Sequence, residues 1–366
     1  MNPRAEVNAD RVSPANLGRL LIVRMSAMGD ILHAMPAVSA LREALPEATI
    51  GWLVEERWAE LVSSPRSAGV GGESTGAKLA DQIHIVNTKK WRTSLLSPST
   101  RHEIRTVVKD LRRMNYDVAI DFQGLIRSSV LAKLSRAKTI SGFAHPRERV
   151  ARFLYTKRVT PRGLHVVEKN LSLAAAVVGS DLTGAAVDFP TAEIAEKDRD
   201  RWLQEHRIQQ FVLLNPGAGW VSKQWPAERY GQLAKSLGEA GFKSLINAGP
   251  GEQDLARSVQ TASEGTAEAL ECSIPQLIAF TRRASLFVGG DTGPMHLAAA
   301  LRIPVVAIFG PTDPVRNGPY GTRSIVLRSP SNPPHRNRAI LDPGLVTIGP
   351  EQVLAACQKL LGGVHA

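Results

Sequence analysis

The feature that most constrains this chain's fold is a pattern that runs twice: a short apolar run of strand length, a turn rich in Gly or polar residues, then a segment of helix formers. In the first round the strand-like runs are 19–24, 49–54, 83–86, 118–121 and 139–142, with helical segments ending near Leu45 and covering roughly 102–114. In the second they are 211–215, 243–247, 286–289 and 305–309, with a helix over 228–240. Strands that alternate with helices predict parallel sheets covered on both faces. Two such rounds predict an α/β protein of two Rossmann-like, doubly wound domains facing a cleft. The expected boundaries are a loose tail over 1–18, an N-terminal domain over 19–185 and a C-terminal domain over 186–349. A last helical segment, 350–366, is expected to pack back on the N-terminal domain. The Gly- and Ser-rich stretch 65–76 reads as a surface insertion.

Composition narrows the function. No apolar run approaches the roughly 20 residues needed to cross a bilayer, and the polar N-terminus lacks the apolar core of a signal peptide. Two cysteines, Cys272 and Cys357, make neither a disulfide framework nor a metal motif. A cytoplasmic protein without a resident metal or cofactor is expected. The net charge is +11, and it is lopsided: residues 1–185 carry +10 and residues 186–366 carry +1. Between Arg127 and Arg162 stand ten basic residues and one acid, Glu148. The N-terminal half therefore expects an anionic partner. Few aromatics are interleaved with these cations, so the stacking pattern of a single-strand nucleic-acid binder is weak. Phosphorylated or carboxylated lipid at a membrane surface is the other option.

Four loops, each following a strand, carry the chemistry. In Gly289-Gly290-Asp291-Thr292-Gly293-Pro294-Met295-His296 a strand turns tightly into a helix. The N–H groups and dipole of a helix start attract phosphate, and Pro294 suits a first turn. Pro216-Gly217-Ala218-Gly219-Trp220-Val221-Ser222-Lys223-Gln224-Trp225 offers backbone N–H groups and a lysine to an anion, but without the Gly-Lys-Ser/Thr core of a P-loop. Trp225 reads as a packing anchor. Gly249-Pro250-Gly251-Glu252 offers a carboxylate that either matches a helix dipole or accepts from ribose hydroxyls. In the first half, Ser26-Ala27-Met28-Gly29-Asp30 places a carboxylate at the start of a helix, as an N-cap or as a general base. The spacing there is not that of a dinucleotide fingerprint.

Together, the Asp291–His296 run, Phe309-Gly310-Pro311-Thr312-Asp313-Pro314, the Ser26–His33 run, Val54-Glu55-Glu56 and Asp121-Phe122-Gln123-Gly124-Leu125 resemble glycosyltransferase family nine, the heptosyltransferases of lipopolysaccharide core synthesis. The likeness runs from about residue 20 to 361 and is greatest to the type I members. It implies a GT-B fold, ADP-heptose as donor and the first Kdo of a Kdo–lipid A acceptor. It also implies a metal-independent, monomeric enzyme at the inner face of the inner membrane, with no nucleic-acid partner. On this resemblance Asp30 matches the catalytic base, and Lys223, Glu252, Asp291, Thr292, Gly293 and His296 match donor-binding positions. Ala218 and Gly219 stand where some relatives carry hydroxyls. Lys89, Lys90, Arg92 and Arg147 lie near positions used on the acceptor. Three alternatives stay open at this point: a later heptosyltransferase acting on heptose, a GT-B-like sugar-nucleotide epimerase, and a non-enzymatic module that binds anionic lipid.

Overall fold

Each round of the pattern folds into its own parallel sheet. The computed structural model describes residues 17–63, 79–184, 186–328 and 339–362. The insertion expected over 65–76 lies outside the described residues. Leu17 is buried and the Gly18 N–H donates to Asp117 Oδ2 (3.1 Å), so the loose tail expected over 1–18 does not include these two residues.

The first sheet is built from β1 (Arg19–Val23), α1 (Met28–Ala44), β2 (Thr49–Glu55), α2 (Ala59–Val62), β3 (Gln82–Val86), α3 (Thr88–Thr93), α4 (Pro98–Arg113), β4 (Val118–Asp121), α5 (Ile126–Leu134), β5 (Thr139–Phe143), β6 (Lys157–Val159) and α6 (Val166–Val178). Its strand order is β3-β2-β1-β4-β5-β6, all parallel. The second follows with α7 (Glu193–Glu205), β7 (Phe211–Asn215), α8 (Ala227–Glu239), β8 (Lys243–Ala248), α9 (Gln253–Ala262), β9 (Ala267–Glu271), α10 (Ile274–Arg283), β10 (Leu286–Gly290), α11 (Gly293–Ala300), β11 (Val305–Phe309), α12 (Pro314–Asn317), β12 (Ser324–Arg328) and α13 (Pro350–Gly362). Its order, β12-β11-β10-β7-β8-β9, repeats the first, again all parallel.

In such sheets the order reverses at one place, β1 beside β4 and β7 beside β10. The crevice at the carboxyl ends of those strands is where open α/β sheets take ligands. The central strands read as continuous apolar runs because both faces are covered: Leu20–Val23, Phe211–Leu214 and Val305–Phe309 are wholly buried. β6, β9 and β12 are outer strands with charged or alternating residues, and the sequence gives no clear signal for them.

The chain forms two compact units. Of the described residues, one holds 17–26, 34–63 and 79–188, and the other holds 27–33 and everything from 189 onward. α13, the last helix expected over 350–366, packs on α8, β10, β11 and β12. Its apolar stripe, Val353, Ala356, Cys357 and Leu360, joins the core of the second unit beside Trp225 and Tyr230.

Candidate active site

In the second unit three loops meet at the carboxyl ends of β7, β8 and β10. β10 lies on β7 with Gly289 opposite Asn215, so the loops after these strands start side by side. Asn215, buried at the end of an apolar strand, ties them together. Its side-chain amide donates to Gly217 O (2.8 Å) and Thr292 Oγ1 (3.4 Å), and its Oδ1 accepts from Asn247 Nδ2 (2.6 Å). Tyr230 OH donates to its carbonyl (3.1 Å). A buried amide needs this many partners to offset its desolvation.

Lys223 and Asp291 form the electrostatic centre. Lys223 Nζ lies 2.6 Å from Asp291 Oδ2 and 3.3 Å from the Asp291 carbonyl, over the face of Trp220. Asp291 Oδ1 lies 3.2 Å from His296 Nε2, and His296 Nδ1 lies 3.0 Å from His33 Nε2. Burial alone would raise the Asp291 carboxyl; His296 and Lys223 outweigh it and hold the group well below the usual carboxylate range. An ionised Asp291 accepts from His296 Nε2–H. His296 Nδ1 and His33 Nε2 share the second hydrogen bond of the His296 ring. Both ring nitrogens of His296 are thus engaged. Thr292 is the N-cap of α11, with Pro294 in the first turn, so the open N–H groups of this helix face the same strand ends.

The Ala27–His33 segment belongs to this second compact unit. Two glycines let it approach α11. A Cβ on Gly29 would stand 2.6 Å from His296 Cδ2, and one on Gly293 would stand 2.6 Å from Met28 Sδ. Asp30 therefore belongs with the donor-type loops. It is not an N-cap: α1 starts at Met28, and Asp30 Oδ2 reaches back to the Ala27 N–H (3.3 Å) from the first turn.

Glu252 is the N-cap of α9, and its Oε2 accepts from the Gly249 N–H (2.8 Å). Its carboxylate lies over Gly217, where a Cβ would stand 2.1 Å from Oε2. Ala218 is half-buried and its carbonyl accepts from Gln224 Nε2 (3.3 Å); Gly219 is exposed, with open space where a side chain would be. Trp225 is buried, and its Nε1 donates to Ile348 O (2.9 Å).

In the first unit the corresponding crevice, at the ends of β1 and β4, is braced by Asp121. This fully buried carboxylate accepts from the N–H groups of Gln123 (2.9 Å) and Gly124 (3.1 Å), from Ser128 Oγ (2.8 Å) and from Tyr155 OH (2.8 Å). Burial pushes its carboxyl up from the ordinary range, and these four donors pull against the rise. Gln123 in turn accepts from the Met25 N–H (2.7 Å) and reaches Ser26 Oγ (3.4 Å), where Arg127 also arrives (3.5 Å). The expected acceptor cations are not gathered at one point. Lys89, Lys90 and Arg92 lie on α3 after β3, with Lys90 paired to Glu103 (2.8 Å). Arg147 follows β5 and is exposed, its backbone N 3.1 Å from where a Gly124 Cβ would stand. Asn215, Asn247, His33 and Gln123 were given no role from the sequence. The two asparagines had a signal, a lone amide closing an apolar strand; His33 and Gln123 had only their places in the motifs.

Residues 104–343 match the model of glycosyltransferase family 9 (heptosyltransferase). The chain belongs to that family. It is 27% identical to lipopolysaccharide heptosyltransferase 1 of Pseudomonas aeruginosa over 318 residues, 85% of this chain and 84% of the relative. It is also 27% identical to lipopolysaccharide heptosyltransferase 3 of Escherichia coli over 353 residues, 91% and 95% of the two chains. The structure of E. coli heptosyltransferase WaaC with ADP-2-deoxy-2-fluoro heptose superposes with a TM-score of 0.71 at 26% identity, covering 95% of this chain and all of that one. The fold is therefore GT-B, and the chain is a glycosyltransferase of the lipopolysaccharide heptosyltransferase family. An epimerase and a non-enzymatic binding module, both left open by the sequence, are set aside by this membership.

Proposed function

We propose that this chain transfers heptose from ADP-heptose, with inversion, to the first Kdo of Kdo–lipid A in inner-core synthesis. The observation that carries the reading is the Lys223–Asp291–His296 assembly beside the start of α11, at the strand-order reversal of the second sheet. The second unit takes the donor and the first takes the acceptor. The acceptor hydroxyl attacks the anomeric carbon, Asp30 takes its proton, and the bond to the diphosphate breaks. Charge grows on the departing ADP. Lys223, held in place by Asp291, and the N–H groups of Thr292 and Gly293 meet that charge where a metal ion would otherwise be needed. Glu252 accepts from the ribose hydroxyls, while Ala218 and Gly219 leave room for the phosphates. Lys89, Lys90, Arg92 and Arg147 hold the acceptor's acidic groups. The site of action is the cytoplasmic face of the inner membrane, with the protein a peripheral monomer. Among the described residues no helix is long and apolar enough to cross a membrane.

The test is ADP release from ADP-heptose with and without Kdo–lipid A, and with a heptosylated acceptor in parallel. The reading expects release with Kdo–lipid A that Asp30→Asn lowers by about 10²–10⁴-fold and that a chelator leaves unchanged. Near-normal turnover by Asp30→Asn would remove it as base. The equal identity to a heptosyltransferase 3 favours a second reading, in which heptose is the acceptor; turnover confined to the heptosylated acceptor would establish it.

A further inference from the structure

Because every strand of the first sheet is parallel, the segments that follow β3, β4, β5 and β6 all emerge at one edge. Each exposes apolar side chains there. After β3, Leu95 and Leu96 form the tip between α3 and α4, with Leu96 84% exposed. After β4 comes Ile126, after β5 Phe153 (69% exposed) and after β6 Leu164 (71% exposed). Exposed apolar side chains gathered at four turns of one edge and rimmed by polar residues mark a partner surface.

The same segments, 87–101, 122–130, 144–156 and 160–165, hold nine Lys and Arg and a single acid, Glu148. Glu148 is occupied, accepting from the Ile126 N–H (2.6 Å). Two of the cations, Lys90 and Arg162, are paired with Glu103 and Asp181. Others sit against the apolar tips. Arg101 donates to Leu96 O (2.8 Å), and the Arg152 guanidinium lies over the Phe153 ring. The corresponding edge of the second sheet mixes signs, with Glu252, Asp291 and Asp313 in its loops and Asp254 in the first turn of α9. From β3 to β5 the edge spans four strand spacings, roughly 19 Å, with the β1/β4 crevice between the two sets of tips.

We propose that this edge is a docking surface for an anionic phospholipid bilayer, Leu96, Phe153 and Leu164 entering the headgroup layer while the surrounding cations pair with lipid phosphates. The proposal deepens the reading above, because a lipid-linked acceptor must be met at a bilayer, and it supplies the surface that meets it. Nucleic acid fits less well: phosphate would satisfy the cations but leave exposed leucines without a role. Each cation near an anionic surface raises partitioning about fivefold, and each apolar tip that leaves water adds about tenfold.

The experiment is co-sedimentation of the intact protein with vesicles of phosphatidylcholine, with and without phosphatidylglycerol, in the absence of donor and acceptor. The expected result is binding to the anionic vesicles that salt weakens, and a loss of at least tenfold in Leu96→Asp/Phe153→Asp. Circular dichroism and thermal melting check that this variant is folded. Arg101→Glu/Arg149→Glu, which leaves the apolar tips intact, is expected to lose binding as well. Turnover on a deacylated, water-soluble Kdo acceptor is measured separately. It is expected to be unchanged in the leucine–phenylalanine variant, so a failure of the transfer reading shows there and not in sedimentation. Wild-type protein that stays in the supernatant, or either variant sedimenting like wild type, overturns the proposal. So does binding to an RNA homopolymer that persists in the apolar variant while vesicle binding is absent.

Discussion

Asp291→Asn removes one charge from a pair that is nearly dry, the two side chains being 7% and 16% exposed. The Lys223 ammonium is then left against a neutral amide, and the His296 N–H loses an anionic acceptor. Breaking one side of a buried ion pair costs about 3–5 kcal/mol; the residual exposure of Lys223 puts this case at the lower end, about 3 kcal/mol. With a urea dependence of about 2 kcal/mol per molar, the midpoint of the second unit should fall by roughly 1.5 M. Trp202, Trp220 and Trp225 lie in that unit and Trp52, Trp58 and Trp91 in the other, so tryptophan emission reports both units and the substitution should shift only the transition of the second. Lys223→Met alone leaves Asp291 with His296 and should cost less, about 2 kcal/mol. The double variant carries no unpaired charge, and its loss should fall short of the sum by at least about 1.5 kcal/mol. The acid limb has a definite sign. The folded pKa of Asp291 lies below its unfolded value, so the native state binds fewer protons. The stabilisation is complete above pH about 4 and disappears as pH falls toward the lower folded value, so wild-type and Asp291→Asn curves should converge in acid. A coupling energy under about 0.5 kcal/mol, or curves that stay parallel into acid, would refute the argument that the pair acts as a unit.

Two further substitutions follow from geometry. Gly217→Ala puts a methyl group on the Glu252 carboxylate, which must swing away from the Gly249 N–H; weaker ADP binding with a change in stability of about 1–3 kcal/mol is expected from calorimetry and melting. Asp121→Asn keeps one accepting oxygen and turns an amide donor toward either the two N–H groups or the two hydroxyls that the other oxygen served, at a cost of about 1–3 kcal/mol; an unchanged urea midpoint for the first unit would contradict it.

The residues with a strong local signature were legible. Asp291, Lys223 and Glu252 each follow an apolar run, and parallel topology carries all such loops to one edge whatever the details of packing. Asp30 was legible as a carboxylate at a helix start, but its position as the third residue of α1 depends on where the helix begins, a boundary that composition does not fix. What the sequence hides is contact between distant residues. His33 and His296 are 263 positions apart, and nothing in either neighbourhood marks a partner. Asn215 and Asn247 meet because β7 pairs with β8, a pairing that one-dimensional periodicity cannot supply. The partners of the C-terminal helix were hidden for a related reason: its apolar stripe fits any apolar surface, and the choice of α8 and the second sheet is made by the whole core.

The two sheets share one topology, so their chemical difference lies in the loops alone. At the carboxyl edge of the second sheet a buried acid organises a lysine and a histidine, and each of those groups already has hydrogen-bond partners within the unit. Such preorganisation is what lets a fixed charge stabilise a leaving group without first reorienting. At the carboxyl edge of the first sheet the buried acid, Asp121, satisfies backbone and hydroxyl donors, and the cations stand outside it at the turns. Cations spread over four turns cannot focus on one atom as the Lys223 pair does. They suit a broad anionic surface and a large charged acceptor, whose binding tolerates imprecision. In the proposed transfer the fixed site serves the small, reacting diphosphate and the distributed one the partner that only has to be held.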